Sequence, residues 1–180
     1  GCFLGAHLAT WVPSLRFTSV AASTALVATQ PVWAALIARA RGVHVPRAAW
    51  FGIAVAFAGV LALTGIDVSL DPGALVGDAL ALVGAILAAA YVTVAEQARA
   101  TVSTVTMTSA MYAWSAAFVL VVVVVFGEAL IGFSPQAWSL IIALTVVGQL
   151  LGHTLVNRVL ATTSATVVSL AILFEMPGAT

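Results

Sequence analysis

The sequence predicts an all-α polytopic membrane protein, and three observations carry this prediction. Hydrophobic residues make up 63% of the 180-residue chain and charged residues only 7%, whereas a soluble domain carries roughly 25% charged residues. The mean hydropathy is +1.18. Apolar runs of about 20 residues recur along the chain, which is the length that an α-helix needs to cross a bilayer. Lipid is therefore the expected solvent for most of the protein surface.

The apolar runs predict five complete membrane spans and two partial ones. Short breaks rich in Pro, Gly, Asp or Arg separate the runs, and such breaks are typical of turns. The predicted spans cover about residues 1–12, 17–38, 48–66, 74–95, 104–126, 137–156 and 164–180. Because the first and last runs each lack one end, we expect the chain to be a fragment of a longer protein, with about seven transmembrane helices present.

The arginines predict how the chain is oriented in the membrane. Arginine-rich loops face the cytoplasm in multi-pass proteins. Arg16 is the exception among the six arginines, because it lies on the opposite, acidic side together with Glu128. The loops expected to be cytoplasmic hold the other five: Arg39, Arg41, Arg47, Arg99 and Arg158.

An internal repeat is predicted from a shift of 146 positions, which aligns His7 with His153 and Pro31 with Pro177. Both segments have a histidine in one apolar run, a polar break, and a second apolar run that reaches the proline. Five spans per unit is an odd number, so the second copy is expected to be inverted. Inverted repeats recur in secondary transporters, whose substrate site lies near the bilayer midplane. The predicted domains are the C-terminal part of a first repeat (1–66), a periplasmic linker (67–73) and the N-terminal part of a second repeat (74–180).

Four segments carry a likeness to a known family: QPVWAAL at 30–36, the stretch WFG to AGV at 50–60, GDALAL at 77–82, and residues 169–178. In this order and spacing they resemble helices three to nine of the ten-helix EamA family, in the drug/metabolite transporter superfamily. The resemblance implies inner-membrane transport of small metabolites, often efflux, through a central cavity between inverted five-helix halves. One departure is the stretch Arg41-Gly42-Val43-His44, where the family often has Gly-Glu.

A polar stripe within the sixth span predicts part of a substrate site. Thr145, Gln149, His153 and Asn157 follow at steps of four, which keeps their side chains on one face of a helix. Polar groups are costly against lipid, so this face is expected to look into the bundle or a water-filled cavity. By the repeat, Phe3, His7 and Trp11 occupy the matching face of the first helix. The alternative is that these side chains only hold neighbouring helices together.

Glu175 is the acidic residue placed deepest within a predicted span. A carboxylate near mid-bilayer is a functional-site candidate by default, for proton coupling or for binding a cationic substrate. Pro177 follows closely and removes a backbone hydrogen bond beside it. Gln30 is a weaker candidate on the second span. The alternative for Glu175 is a neutral, hydrogen-bonded acid that fixes helix packing.

The predicted function is a secondary transporter, expected to export small metabolites by alternating access around a midplane cavity. The alternatives are an integral-membrane enzyme and a non-transport structural subunit. An enzyme is disfavoured, because the sequence has no H-E-x-x-H, no G-x-S-x-G and no paired aspartates within a span. We expect no catalytic residue, cofactor or metal. The expected partners are a small-molecule substrate and the lipid bilayer but no nucleic acid, and homodimerisation is left open.

Overall fold

The computed structural model of the chain describes residues 1–64 and 71–172. Within these two ranges the chain forms helices and turns and no β-strand. The helices are α1 (Cys2–Ser14), α2 (Val20–Val27), α3 (Gln30–Ala40), α4 (Arg47–Thr64), α5 (Pro72–Arg99), α6 (Thr104–Phe126), α7 (Pro135–Leu144), α8 (Thr154–Val159) and α9 (Ala165–Ile172). A π-helical segment, Thr145–His153, joins α7 to α8.

Four stretches in the described part of the chain are long and apolar enough to cross a membrane. They are Val20–Ala40, Pro72–Arg99, Thr104–Phe126 and Pro135–Val159. The predicted all-α membrane class is therefore confirmed. The predicted linker overlaps residues 65–70, which lie outside the described ranges, so the division into two repeats stays a prediction.

Side-chain caps fix where several of the helices begin. Ser19, Ser103 and Ser134 each accept a hydrogen bond from the backbone N–H three residues later, at 3.1 to 3.2 Å. Asp71 caps α5 and accepts from a backbone N–H at 3.0 Å. Such caps satisfy N–H groups that the first helical turn leaves unpaired. Gly127 ends α6 with a φ of 67°, a left-handed conformation that glycine adopts without strain.

The stretch predicted as one helix over residues 17–38 is broken at Ala28 and Thr29. Pro31 has no N–H and cannot continue the hydrogen-bond ladder from α2 into α3. The Thr29 hydroxyl donates instead to the Leu26 carbonyl oxygen at 2.6 Å. It also accepts a hydrogen bond from Trp33 Nε1 at 3.0 Å. These side-chain bonds replace part of the interrupted ladder.

Helix α5 is the centre of the described bundle, since it contacts α1, α2, α3, α6, α8 and α9. Its buried face is built from small residues: Gly77, Ala81, Gly84, Ala85, Ala88 and Ala89. Small residues let helices approach closely, which matters in lipid because no hydrophobic effect drives helices together there. At Gly77 a Cβ would lie 2.8 Å from the backbone nitrogen of Thr18, so this contact requires glycine.

An ion pair joins the loops after α1 and α6. Arg16 Nη1 donates to Glu128 Oε1 at 2.8 Å, and Nη2 donates to Oε2 at 3.3 Å. The hydrogen bonds and positive charge of Arg16 lower the pKa of the Glu128 carboxyl, and Glu128 raises the pKa of Arg16 in return. The single arginine outside the predicted cytoplasmic set is therefore paired with an acid, which accounts for its exceptional position.

Candidate functional site

Helices α1, α5 and α8 and the π-helical segment carry two groups of contacting side chains: His7 with Trp11, and Tyr91 with His153 and Asn157. We call the two groups together the central polar site, because both lie against α5. Three of them, His7, Tyr91 and Asn157, are buried. The site includes residues of the polar stripe of the sixth predicted span and of the matching face of the first. The contacts below show how each side chain is held.

On α1, His7 and Trp11 lie one turn apart with stacked rings, whose centroids are 5.4 Å apart and whose planes differ by 20°. His7 Nδ1 lies 2.9 Å from the Gly84 carbonyl oxygen. Because a carbonyl only accepts, Nδ1 carries the hydrogen, and Nε2 of the neutral ring remains an acceptor. A Cβ at Gly84 would lie 3.3 Å from Trp11 Cβ. The glycine therefore allows α1 to come close enough for this bond.

Tyr91 of α5 links the two polar residues that follow α7. Its hydroxyl donates to Asn157 Oδ1 at 2.8 Å, and its ring centroid lies 5.8 Å from that of His153. Arg99, at the end of α5, donates from Nε to the Asn157 carbonyl oxygen at 3.0 Å. The Asn157 side chain also lies 3.7 Å from Met111 Sδ. These bonds fasten α8 to α5 and α6 and fix the Tyr91 ring against His153.

Two atoms of the central polar site, Trp11 Nε1 and His153 Nδ1, are buried without a hydrogen-bond partner among residues 1–64 and 71–172. The indole N–H only donates, whereas an imidazole nitrogen donates or accepts. An unpaired buried polar group costs about 1–3 kcal/mol. Tyr91 of α5 contacts His153, and α1 packs against α5, so both atoms lie beside the same helix. A ligand whose polar groups hydrogen-bond to Trp11 Nε1 and His153 Nδ1 would remove this energetic penalty.

The π-helical segment carries Gln149 and His153, and π-helical turns are frequent at functional sites. The Tyr112 hydroxyl of α6 donates to the Gln149 carbonyl oxygen at 2.6 Å and lies 3.2 Å from Thr154 Oγ1. Thr145, at the start of the segment, is exposed, and its hydroxyl donates to the backbone of its own helix at 2.7 Å. The polar stripe therefore faces the bundle only in its later part.

The family model of the EamA-like transporter family matches residues 75–177. This match covers more than half of the 180 residues. The chain belongs to the EamA-like transporter family. It is therefore a membrane transporter of the drug/metabolite type, as the sequence predicts. No curated protein and no solved structure matches the chain.

The remaining predicted site residues of this EamA chain make no side-chain hydrogen bond or ring contact with the members of the central polar site among the described residues. Gln30 is buried on α3 and donates from Nε2 to Ser169 Oγ of α9 at 3.3 Å. It therefore links α3 to α9. Gln149 is half-buried and is anchored through its backbone. Glu175 lies outside the described residues.

Two residues of this EamA chain were not among the predicted site residues. Tyr91 supplies the contact between α5 and His153. Asp78 of α5 has a buried Oδ1 without a hydrogen-bond partner in the described part of the chain. The sequence could have indicated Asp78, because it is an acidic residue in the apolar run 77–82 and a charged side chain is costly inside a membrane span. Tyr91 gave no comparable signal, because aromatic residues are common in membrane helices.

Proposed function

We propose that this EamA transporter exports small polar metabolites by alternating access, and that the central polar site is its substrate site. The observation that carries the proposal is the pair of buried, unpaired atoms, Trp11 Nε1 and His153 Nδ1. Polar groups inside a membrane bundle are expensive and mark substrate pathways. These two lie beside aromatic rings on helices that meet at α5.

The chemistry of the site favours a substrate with a flat part and hydrogen-bonding groups. The stacked rings of His7 and Trp11, with Tyr91 on the facing helix, offer surfaces for a planar group. The Trp11 N–H supplies a donor, and His7 Nε2 supplies an acceptor. His153 takes either role. Asn157 acts by positioning Tyr91.

The remaining predicted residues extend the proposal beyond the central polar site. Gln149 lies one π-helical turn before His153 and is half-buried, which supports a contact at the edge of the substrate. Gln30 is proposed to act where α3 meets α9. Glu175 is proposed to carry the proton coupling, and intact transporter with Glu175→Gln tests this: unchanged flux driven by a pH gradient would exclude that role.

Alternating access requires the two ends of the bundle to open in turn. The contacts that hold each end closed differ in kind. At one end the exposed Arg16–Glu128 pair joins two loops. At the other end a buried bond from Tyr91 to Asn157 and a partly buried bond from Arg99 to Asn157 join α5 to α8. Water competes readily for an exposed ion pair. We propose that the end holding Arg16 is periplasmic, in an inner membrane, and opens more easily.

The test is transport by the intact protein in proteoliposomes, after a thermal-shift screen has identified a stabilising metabolite class. His153→Leu keeps the approximate size of the side chain and removes its polar atoms. It is expected to lower substrate flux by about tenfold or more while the protein stays folded. Val147→Leu is the matched control, because Val147 is exposed on the same π-helical segment. Equal flux in both variants would refute the assignment of His153.

A further inference from the structure

A cavity lies at the end of the bundle that carries most of the arginines. Its volume is about 390 Å³, within the range of sites that hold small molecules. The α3–α4 loop, the last turns of α5 and the beginning of α9 form its walls. Its polar lining residues are Arg41, His44, Glu96, Gln97, Ser164 and Thr166. It shares no residue with the central polar site.

Opposite charges line this cavity without neutralising each other. Arg41 and Glu96 both face it, yet the ion pair found in the described part of the chain is Arg16–Glu128. With the Gln97 amide oxygen turned toward the guanidinium, Arg41 contacts it through Nη1, Nη2 and Nε. This neighbour is a neutral amide, so neither Arg41 nor Glu96 is neutralised by an ion pair within the described part of the chain.

The beginning of α9 adds to the anion-binding side of the cavity. Ser164 precedes the helix, and its hydroxyl accepts a hydrogen bond from the Val167 backbone N–H at 3.4 Å. N–H groups and the helix dipole at such a terminus favour a negative charge. Arg41 supplies a full positive charge nearby, and Glu96 attracts a cation. The lining thus fits a ligand that carries both an anionic and a cationic group.

The position of the cavity along the chain indicates where such a ligand comes from. The loop that forms one wall lies between Arg39 and Arg47, and Trp50 follows in the first turn of α4. Arginine and tryptophan are typical of the headgroup level of a bilayer, where basic pockets bind lipid phosphates. We propose that this cavity binds a phospholipid headgroup that carries both a phosphate and an ammonium group, with the phosphate at Arg41 and the ammonium at Glu96.

The test uses the intact protein, delipidated in detergent, with thermal stability measured against added lipid. Phosphatidylethanolamine is expected to stabilise it saturably, at about tenfold lower concentration than phosphatidylglycerol, which lacks the ammonium group. Glu96→Gln is expected to abolish this preference, and Arg41→Gln to weaken binding of both lipids. Arg39→Gln is the matched control, because Arg39 lies in the last turn of α3, just before the same loop, and does not line the cavity.

Soluble probes separate a lipid headgroup from a free anion and need no variant. Phosphoethanolamine at millimolar concentration is expected to compete with the lipid, whereas inorganic phosphate is not. Three results would overturn the proposal: equal stabilisation of the wild type by the two lipids, a preference that survives Glu96→Gln, or competition by inorganic phosphate equal to that by phosphoethanolamine.

Discussion

Replacing Trp11 with phenylalanine distinguishes a substrate-contacting residue from one that only packs. The phenyl ring keeps the stack on His7 but removes an indole N–H that is buried without a partner in the described chain. Removing the unpaired N–H removes its desolvation penalty and so stabilises the folded protein by about 1–3 kcal/mol. The smaller ring leaves a gap larger than a methyl group, which costs about 1 kcal/mol in lost packing contacts. The free energy of unfolding is therefore expected to stay the same or to rise by up to about 2 kcal/mol.

Substrate binding is expected to respond in the opposite direction. A lost hydrogen bond costs about 0.5–1.5 kcal/mol with a neutral acceptor and about 1.5–3 kcal/mol with a charged one, or roughly 2-fold to 150-fold in affinity. Thermal unfolding in one detergent, with and without substrate, measures both quantities. Trp114→Phe is the control, because Trp114 is 65% exposed on α6. A loss of more than about 2 kcal/mol of stability in Trp11→Phe, with unchanged affinity, would refute the assignment.

Three further substitutions test the fold around the site. Gly77→Ala forces a Cβ to 2.8 Å from backbone of the α1–α2 connection and should cost about 1–3 kcal/mol in thermal unfolding; Gly52→Ala, with no atom within 4 Å, should not destabilise. Tyr91→Phe leaves the buried Asn157 Oδ1 without its donor and should also cost about 1–3 kcal/mol; an unchanged melting temperature would contradict the bond. Arg16 lowers the pKa of Glu128 below the ordinary glutamate pKa of 4.5. The ion pair therefore stabilises the folded protein at pH values above 4.5, and this stabilisation is lost as the pH falls through the lowered pKa. Glu128→Gln should therefore melt below the wild type at pH 7, and the difference should disappear in acid; a constant difference would exclude the ion pair as its cause.

Much of the fold is predictable from the sequence, because the bilayer sets the length of each apolar run. The span predicted over residues 104–126 coincides with α6, and the one predicted over 74–95 lies inside α5. The break at Thr29 and the π-helical segment were not predicted. Both are changes in backbone hydrogen bonding within a continuous apolar run, and hydropathy does not report them. Pro31 was a local signal for the first of them.

The candidate site was predictable only where its residues share one helix. Steps of four placed His153 near Asn157 and His7 near Trp11. The contact of Tyr91 with Asn157 joins residues 66 positions apart, and it depends on how α5 crosses α8. Spacing along the chain carries no such information. That these residues bind a substrate stays a prediction.

The most direct test of alternating access is the accessibility of a single cysteine near the central polar site. In the intact transporter with Gln149→Cys and every native cysteine, Cys2 among them, replaced by serine, a membrane-impermeant thiol reagent is applied to one side of proteoliposomes and then, in a separate sample, to the other. The proposed mechanism predicts labelling from both sides, slowed by a saturating concentration of the substrate identified in the screen. Labelling from one side only, at a rate that the substrate does not change, would contradict it.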